Sequence, residues 1–158
     1  MPSAREFGDH VEVQQLLGRY GLALDEKNYD LLDSVFTPDA LLHYTMEDQE
    51  TKASYGDWKE IFRQFLLPFY WTSHLFSTPL VDFEGEQARS TCRLIASHVQ
   101  IRKDGERNLW TVYGFYRDRL VRTDAGWRIC ERLFRGVHSE GQALPADQVQ
   151  AFPKAPFS

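Results

Sequence analysis

The sequence has too little cysteine for a disulfide framework. Only Cys92 and Cys130 occur in 158 residues. Both sit in apolar, strand-like runs, so buried free thiols in a reducing compartment are expected. A long apolar run is also missing: none approaches the roughly 20 residues that a membrane span needs. The opening segment "MPSAREFGDH" is charged and lacks an apolar stretch, which predicts no secretory signal. Nor is there an excess of positive charge. With 18 basic and 23 acidic residues the net charge is −5, which argues against nucleic-acid or anionic-membrane partners, since those need clustered positive charge. No repeat, low-complexity segment or closely spaced pair of metal ligands is present. These absences predict a soluble, cytoplasmic protein and leave a metal site without support.

What is present is hydrophobic and aromatic, at 42% and 14%. That suits a thick core or an aromatic-lined cavity, and the length fits one domain. "SARE" (Ser3–Glu6) has the form of a capping box. Behind it, Val13, Leu16, Leu17, Tyr20 and Leu24 recur at helical spacing, predicting a helix over about 5–26 within the usual error of 2–4 residues. "YDLLDSVF" reads as a short helix closed by "TPDA", and "ALLHYTM" as a strand. "SYGD" resembles a second capping box opening the helix "WKEIFRQFLL", which Pro68 ends. From residue 72 the period changes to two. Strands are expected at 72–83, 87–102, 109–122 and 127–136, separated by the turn sequences "EGE", "KDGER" and "TDAG". Helices followed by a run of strands mean α+β. The economical arrangement is a cone-shaped, curved antiparallel sheet wrapped around the N-terminal helices, with a cavity between them. The Arg-rich stretch Arg117–Arg135 reads as the solvated face of a sheet. The domain should cover 1–136. Residues 137–158, with three of the seven prolines, read as a loose or disordered arm lying over the cavity or a neighbouring subunit.

Strand alternation puts Ala88, Ser90, Cys92, Leu94, Ala96, His98 and Gln100 on one face. It puts His74, Phe76, Thr78 and Leu80 on one face of the preceding strand. If these strands pair around "EGE", both histidines reach the same concavity. Taken alone, each is as well explained as a hydrogen-bonded core or rim residue. Asp25 lies in the last turn of the first helix, where a negative charge opposes the helix dipole by several tenths of a kcal/mol. It is either a solvated acid or a group in need of a cationic partner. Tyr20 lies about 140° around the helix from Asp25 and reads as core. Tyr44 alternates with Leu42 and faces inward, leaving His43 outward. His10 and His138 should be exposed.

The segments "RYGLALDEKNYDLLDSVFTPDALLHY", "TSHLFSTPLVDFEGEQA" and "DAGWRICERLFR" resemble the SnoaL-like branch of the nuclear transport factor 2-like superfamily, over about residues 8–136. The resemblance implies the same α+β barrel. Three enzyme groups within it carry an acid at the end of helix 1 and a histidine after helix 3: scytalone dehydratase, bile acid 7α-dehydratase and hexachlorocyclohexane dehydrochlorinase. Asp25 and His74 match that pair, His98 and Tyr44 match a second histidine and a tyrosine of scytalone dehydratase, and Tyr20 falls at the tyrosine of the bile acid enzyme. Two departures separate the chain from these enzymes. Gly114 and Tyr116 stand where the scytalone enzyme has a substrate-contacting serine and asparagine, and His98 stands where the bile acid enzyme has an acid.

The resemblance implies a cofactor-independent lyase or isomerase (dehydratase, isomerase or cyclase) acting on a mostly apolar ring compound such as a polyketide, terpenoid or steroid. His74 would be the base, Asp25 its orienting partner, Tyr44 and Tyr20 hydrogen-bond donors to a carbonyl oxygen, and His98 the acid for a departing hydroxyl. Expected lining residues are Trp58, Phe62, Leu66, Phe69, Trp71, Phe76, Val112 and Tyr116. A homo-oligomer, with a trimer favoured, follows from the resembling enzymes. The alternative is a non-catalytic ligand binder or an assembly subunit, such as the β-subunit of a ring-hydroxylating dioxygenase.

Overall fold

The structure is a computed structural model describing residues 3–157. The first helix, α1 (Ala4–Asp25), begins at a complete capping box. Ser3 Oγ accepts from the Glu6 N–H at 3.2 Å, and Glu6 Oε2 accepts from the Ser3 N–H at 2.6 Å, satisfying two otherwise orphaned amides. The expected stripe of Val13, Leu16, Leu17, Tyr20 and Leu24 is buried. After α1 comes a short 3₁₀ helix, Tyr29–Ser34, rather than an α-helix.

β1 (Phe36–Met46) starts earlier than the sequence predicts and takes in "TPDA". Its pairing with the last strand slips between Phe36 and Leu41. Pro38 lies in that irregular stretch, where a missing N–H costs no ladder bond. β2 (Gln49–Ser54) follows. Its sequence, "QETKAS", has no apolar alternation because it is a polar, exposed edge strand. Ser54 then caps α2 (Tyr55–Leu66) by accepting from the Asp57 N–H at 3.2 Å.

The expected strand 72–83 is two strands, β3 (Trp71–Phe76) and β4 (Leu80–Glu84). Both pair antiparallel with β5 (Gln87–Ile101). The break at Ser77–Pro79 shifts the register by one: His74 faces Ala96, whereas Leu80 faces Thr91. A one-residue shift exchanges the faces, so Leu80 points out, 80% exposed, and not inward with His74 and Phe76. β6 (Arg107–Thr123) and β7 (Gly126–Glu140) complete a sheet of order β2-β1-β7-β6-β5-β3. It is antiparallel apart from one pair, since β1 runs parallel to β7. The sheet curves around α1 and α2.

β7 extends past residue 136 to Glu140, and the chain beyond it is anchored to the barrel. Buried Gln100 holds Leu144 through both side-chain atoms, at 3.0 and 2.8 Å. Val149 bridges Arg102, and the Phe152 N–H donates to the Leu67 carbonyl at 2.8 Å. Cys92 is buried and Cys130 half-buried, both as free thiols. No helix of the described residues is long and apolar enough to cross a membrane.

Candidate active site

A cavity of about 330 Å³ lies between the helices and the concave face of the sheet. Asp25 is the last residue of α1, and β3 passes beside it. Gly21 permits this approach: a Cβ there would lie 2.8 Å from the Phe76 ring and 3.4 Å from the His74 carbonyl oxygen. The unfavourable helix-end charge is met by three donors. Thr72 Oγ1 donates to Asp25 Oδ1 at 2.8 Å, the His74 backbone N–H to Oδ2 at 3.0 Å, and His74 Nδ1 to Oδ1 at 2.6 Å. A carboxylate bonded to Nδ1–H fixes the tautomer and leaves Nε2 as the basic nitrogen. His74 also lines the cavity.

His98 lies beside His74, ring centroids 5.7 Å apart, with Phe69 packed 5.1 Å behind it and Trp110 4.7 Å away. Burial first, and then the neighbouring His74, push its pKa down to about 3. The ring is therefore neutral. Nδ1–H donates to the Trp110 carbonyl at 3.3 Å, which leaves Nε2 as an acceptor.

Across the cavity, the Tyr20 and Tyr44 hydroxyls are hydrogen-bonded at 2.8 Å, and the Tyr116 hydroxyl is 3.4 Å from that of Tyr20. Burial raises all three well above the ordinary tyrosine pKa, while the nearby Arg132 charge pulls the other way. Arg132 has its guanidinium carbon 4.3 Å from the Tyr20 ring centroid and 4.1 Å from that of Tyr116. It is fully buried and forms a bidentate pair with Asp118 at 2.8 and 2.7 Å. Burial opposes its charge, but Asp118 more than restores it, so Arg132 is held protonated.

Of the expected lining, Trp58, Phe62, Leu66, Val112 and Tyr116 border the cavity together with Tyr20, Tyr44, His74 and His98. Three residues do not. Phe69 is buried behind His98, Phe76 packs against Tyr20 at 6.1 Å, and Trp71 lies on the outer side of β3, 40% exposed. Phe65, Trp110 and Phe134 border it instead. Gly114 has no room for a side chain: a Cβ would lie 2.4 Å from the Arg135 carbonyl oxygen.

Two groups at the site escaped the sequence reading. Thr72, two residues before His74, shares its face, and that alternation was the available signal. Arg132 was read as solvated because simple alternation from Trp127 turns it outward. The pairing of β7 with β6 slips between Ile129 and Glu131, leaving Cys130 as the extra residue. This bulge reverses the phase and turns Arg132 inward.

The molecule is a curved α+β cone closed over a largely apolar cavity, with a His–Asp pair at its wall. The chain belongs to the SnoaL-like domain family, which it matches over residues 5–133. An uncharacterised Mycobacterium tuberculosis protein, Rv2910c, is 33% identical over 133 residues, covering 84% of this chain and 88% of that one. Among solved structures, the Kfla4162 protein of Kribbella flavida has a TM-score of 0.74 and 26% identity, over 85% of this chain and 95% of that chain. A candidate scytalone dehydratase from Novosphingobium aromaticivorans has a TM-score of 0.72 and 21% identity, over 90% and 92%. At that identity the second likeness concerns the fold.

Proposed function

We propose that the protein is a cofactor-independent lyase or isomerase that removes a proton beside a ring carbonyl, with His74 as the base. The observation that carries this reading is the 2.6 Å contact between His74 Nδ1 and Asp25 Oδ1 at the wall of the cavity. Asp25 orients the ring and stabilises the imidazolium that forms. A positioned base of this kind supplies about 10²–10⁴ in rate.

In the dehydration form, Nε2 of His74 takes the proton and the C–H electron pair becomes an enolate. The oxygen of that enolate accepts from the hydroxyl of Tyr44, with Tyr20 behind it and the Arg132 charge beneath the ring. Collapse of the enolate expels a β-hydroxyl, which leaves as water with the proton returned by the imidazolium. In this route His98 is not assigned the role of acid that the family resemblance implied. A neutral ring presenting a lone pair can accept from a substrate hydroxyl but has no readily lost proton to give. In the isomerase form the same proton returns to another carbon.

The aromatic lining, Trp58, Phe62, Trp110 and Phe134 among it, suits a flat, mostly apolar ring such as a polyketide, terpenoid or steroid. The protein is proposed to act as a homo-oligomer, with a trimer favoured. Screening cyclic β-hydroxy ketones for loss of water tests the reading. Wild-type protein should turn over at least one, and His74→Ala and Asp25→Ala should each lose that activity with circular dichroism unchanged. Activity retained in both variants would remove the mechanism.

A further inference from the structure

A second pocket, about 370 Å³, opens between the end of α1, the last turn of α2 and the C-terminal arm. Lys27 stands in its wall with a backbone φ of 55°, a left-handed conformation that is strained for a residue with a side chain. Its Nζ donates to the Phe69 carbonyl at 2.7 Å and to the Phe152 carbonyl. An ammonium has three N–H donors, so one is left over. Burial alone lowers the Lys27 pKa, to about 8, and among the described residues no carboxylate offsets it.

Arg63 is a second cation in the same pocket, 5.2 Å over the Tyr29 ring. Its Nη1 pairs with exposed Glu60 at 2.5 Å. Asp30, also at the pocket, is paired with Lys59 at 2.9 Å. The pocket therefore combines an ammonium lacking a counter-charge, a guanidinium, the Asn28 amide and the flat side chains of Tyr29 and Phe152.

We propose that this pocket binds a small organic anion, its charged head between Lys27 and Arg63 and its flat flank along Phe152. A half-buried cation held by carbonyl dipoles is incompletely compensated, and an anion supplies the missing charge. The site is separate from the His74 cavity and does not depend on its catalytic reading. It adjoins that cavity through the chain: Lys27 lies two residues beyond Asp25, and Phe69, whose carbonyl Lys27 holds, leads into β3.

Phenyl phosphate tests the proposal, since its dianionic head does not suit the apolar cavity. Its titration into ¹⁵N-lysine-labelled protein at constant ionic strength should show saturable binding and an upward shift of the Lys27 titration. Lys27→Met should weaken binding at least tenfold and Arg63→Gln several-fold. Inorganic phosphate should bind more weakly, for want of a flat flank. If Lys27→Met fails to fold because the arm is released, Arg63→Gln and the Lys27 titration carry the test. Absence of saturable binding, an unmoved Lys27 titration or undiminished affinity in Arg63→Gln would overturn the proposal.

Discussion

Asp25 shows how one residue's environment decides between two readings. As a helix-end acid it could be solvated or partnered. Three donors, from Thr72 and from the backbone and ring of His74, make it partnered. Thr72→Val removes one donor without touching the cavity. It should lower kcat by about ten- to a hundredfold while KM stays near wild type, the loss of a single hydrogen bond to a charged group being worth about 1.5–3 kcal/mol. Steady-state kinetics on a turned-over ketone checks this.

His98 gives a pH prediction. Its folded pKa, about 3, lies below the ordinary 6.5, so between those values the unfolded chain binds more protons than the folded one. Stability therefore falls as pH drops from 6.5 towards 3, by up to about 1.4 kcal/mol per unit from this group. Urea denaturation across pH 4–7 should show a shallower decline in His98→Gln than in the wild type. The inward placement of His74 and Tyr44 was legible from strand alternation, whereas Asp25 stood open between two readings and the pairing came only from the family resemblance. Arg132 was not, because one extra residue at Cys130 reverses the alternation, and a bulge has no composition of its own.

At the scale of elements, what matters is how closely α1 approaches β3. Gly21 lies where a methyl group would press on Phe76 and on the His74 carbonyl. Gly21→Ala should destabilise the protein by about 1–3 kcal/mol through overpacking, despite alanine's higher helix propensity. It should also lower activity by displacing His74 from Asp25. Thermal denaturation and kinetics check both; a gain in stability would contradict this packing account. The buried Arg132–Asp118 pair ties β7 to β6 beneath the tyrosines. Asp118→Asn leaves a buried guanidinium without its counter-charge and should cost about 3–5 kcal/mol in unfolding free energy. The capping box of α1, the Ser54 cap of α2 and the hairpin turns were readable because their chemistry is local. β2 was not, because an exposed edge strand needs no apolar face, and the β3–β4 break was read through although Ser77, Thr78 and Pro79 interrupt the apolar pattern there.

For the whole molecule, the sheet's outer surface bears on the proposed assembly. Trp71, Leu75, Ile95 and Leu109 are 40%, 63%, 45% and 57% exposed on β3, β5 and β6. Apolar residues exposed together on neighbouring strands suit contact with another copy. Sedimentation equilibrium should return three times the 18.4 kDa chain mass, and Leu75→Glu should lower it; a monomeric wild type would reject the oligomer. The layered α+β plan was visible in the change of hydrophobic period near residue 72. The anchoring of the arm was not, because it rests on the buried amide of Gln100 and on Lys27, whose roles depend on distant backbone.

The account's central claim is that His74, held by Asp25, takes a proton from carbon inside the cavity. Solvent exchange reads that step without requiring a leaving group. Cyclic ketones incubated with the protein in D₂O and followed by mass spectrometry should gain deuterium beside the carbonyl with wild-type protein. They should gain it at no more than the buffer rate with His74→Gln. Exchange at equal rates in the two proteins, or at the buffer rate throughout the panel, would contradict the claim.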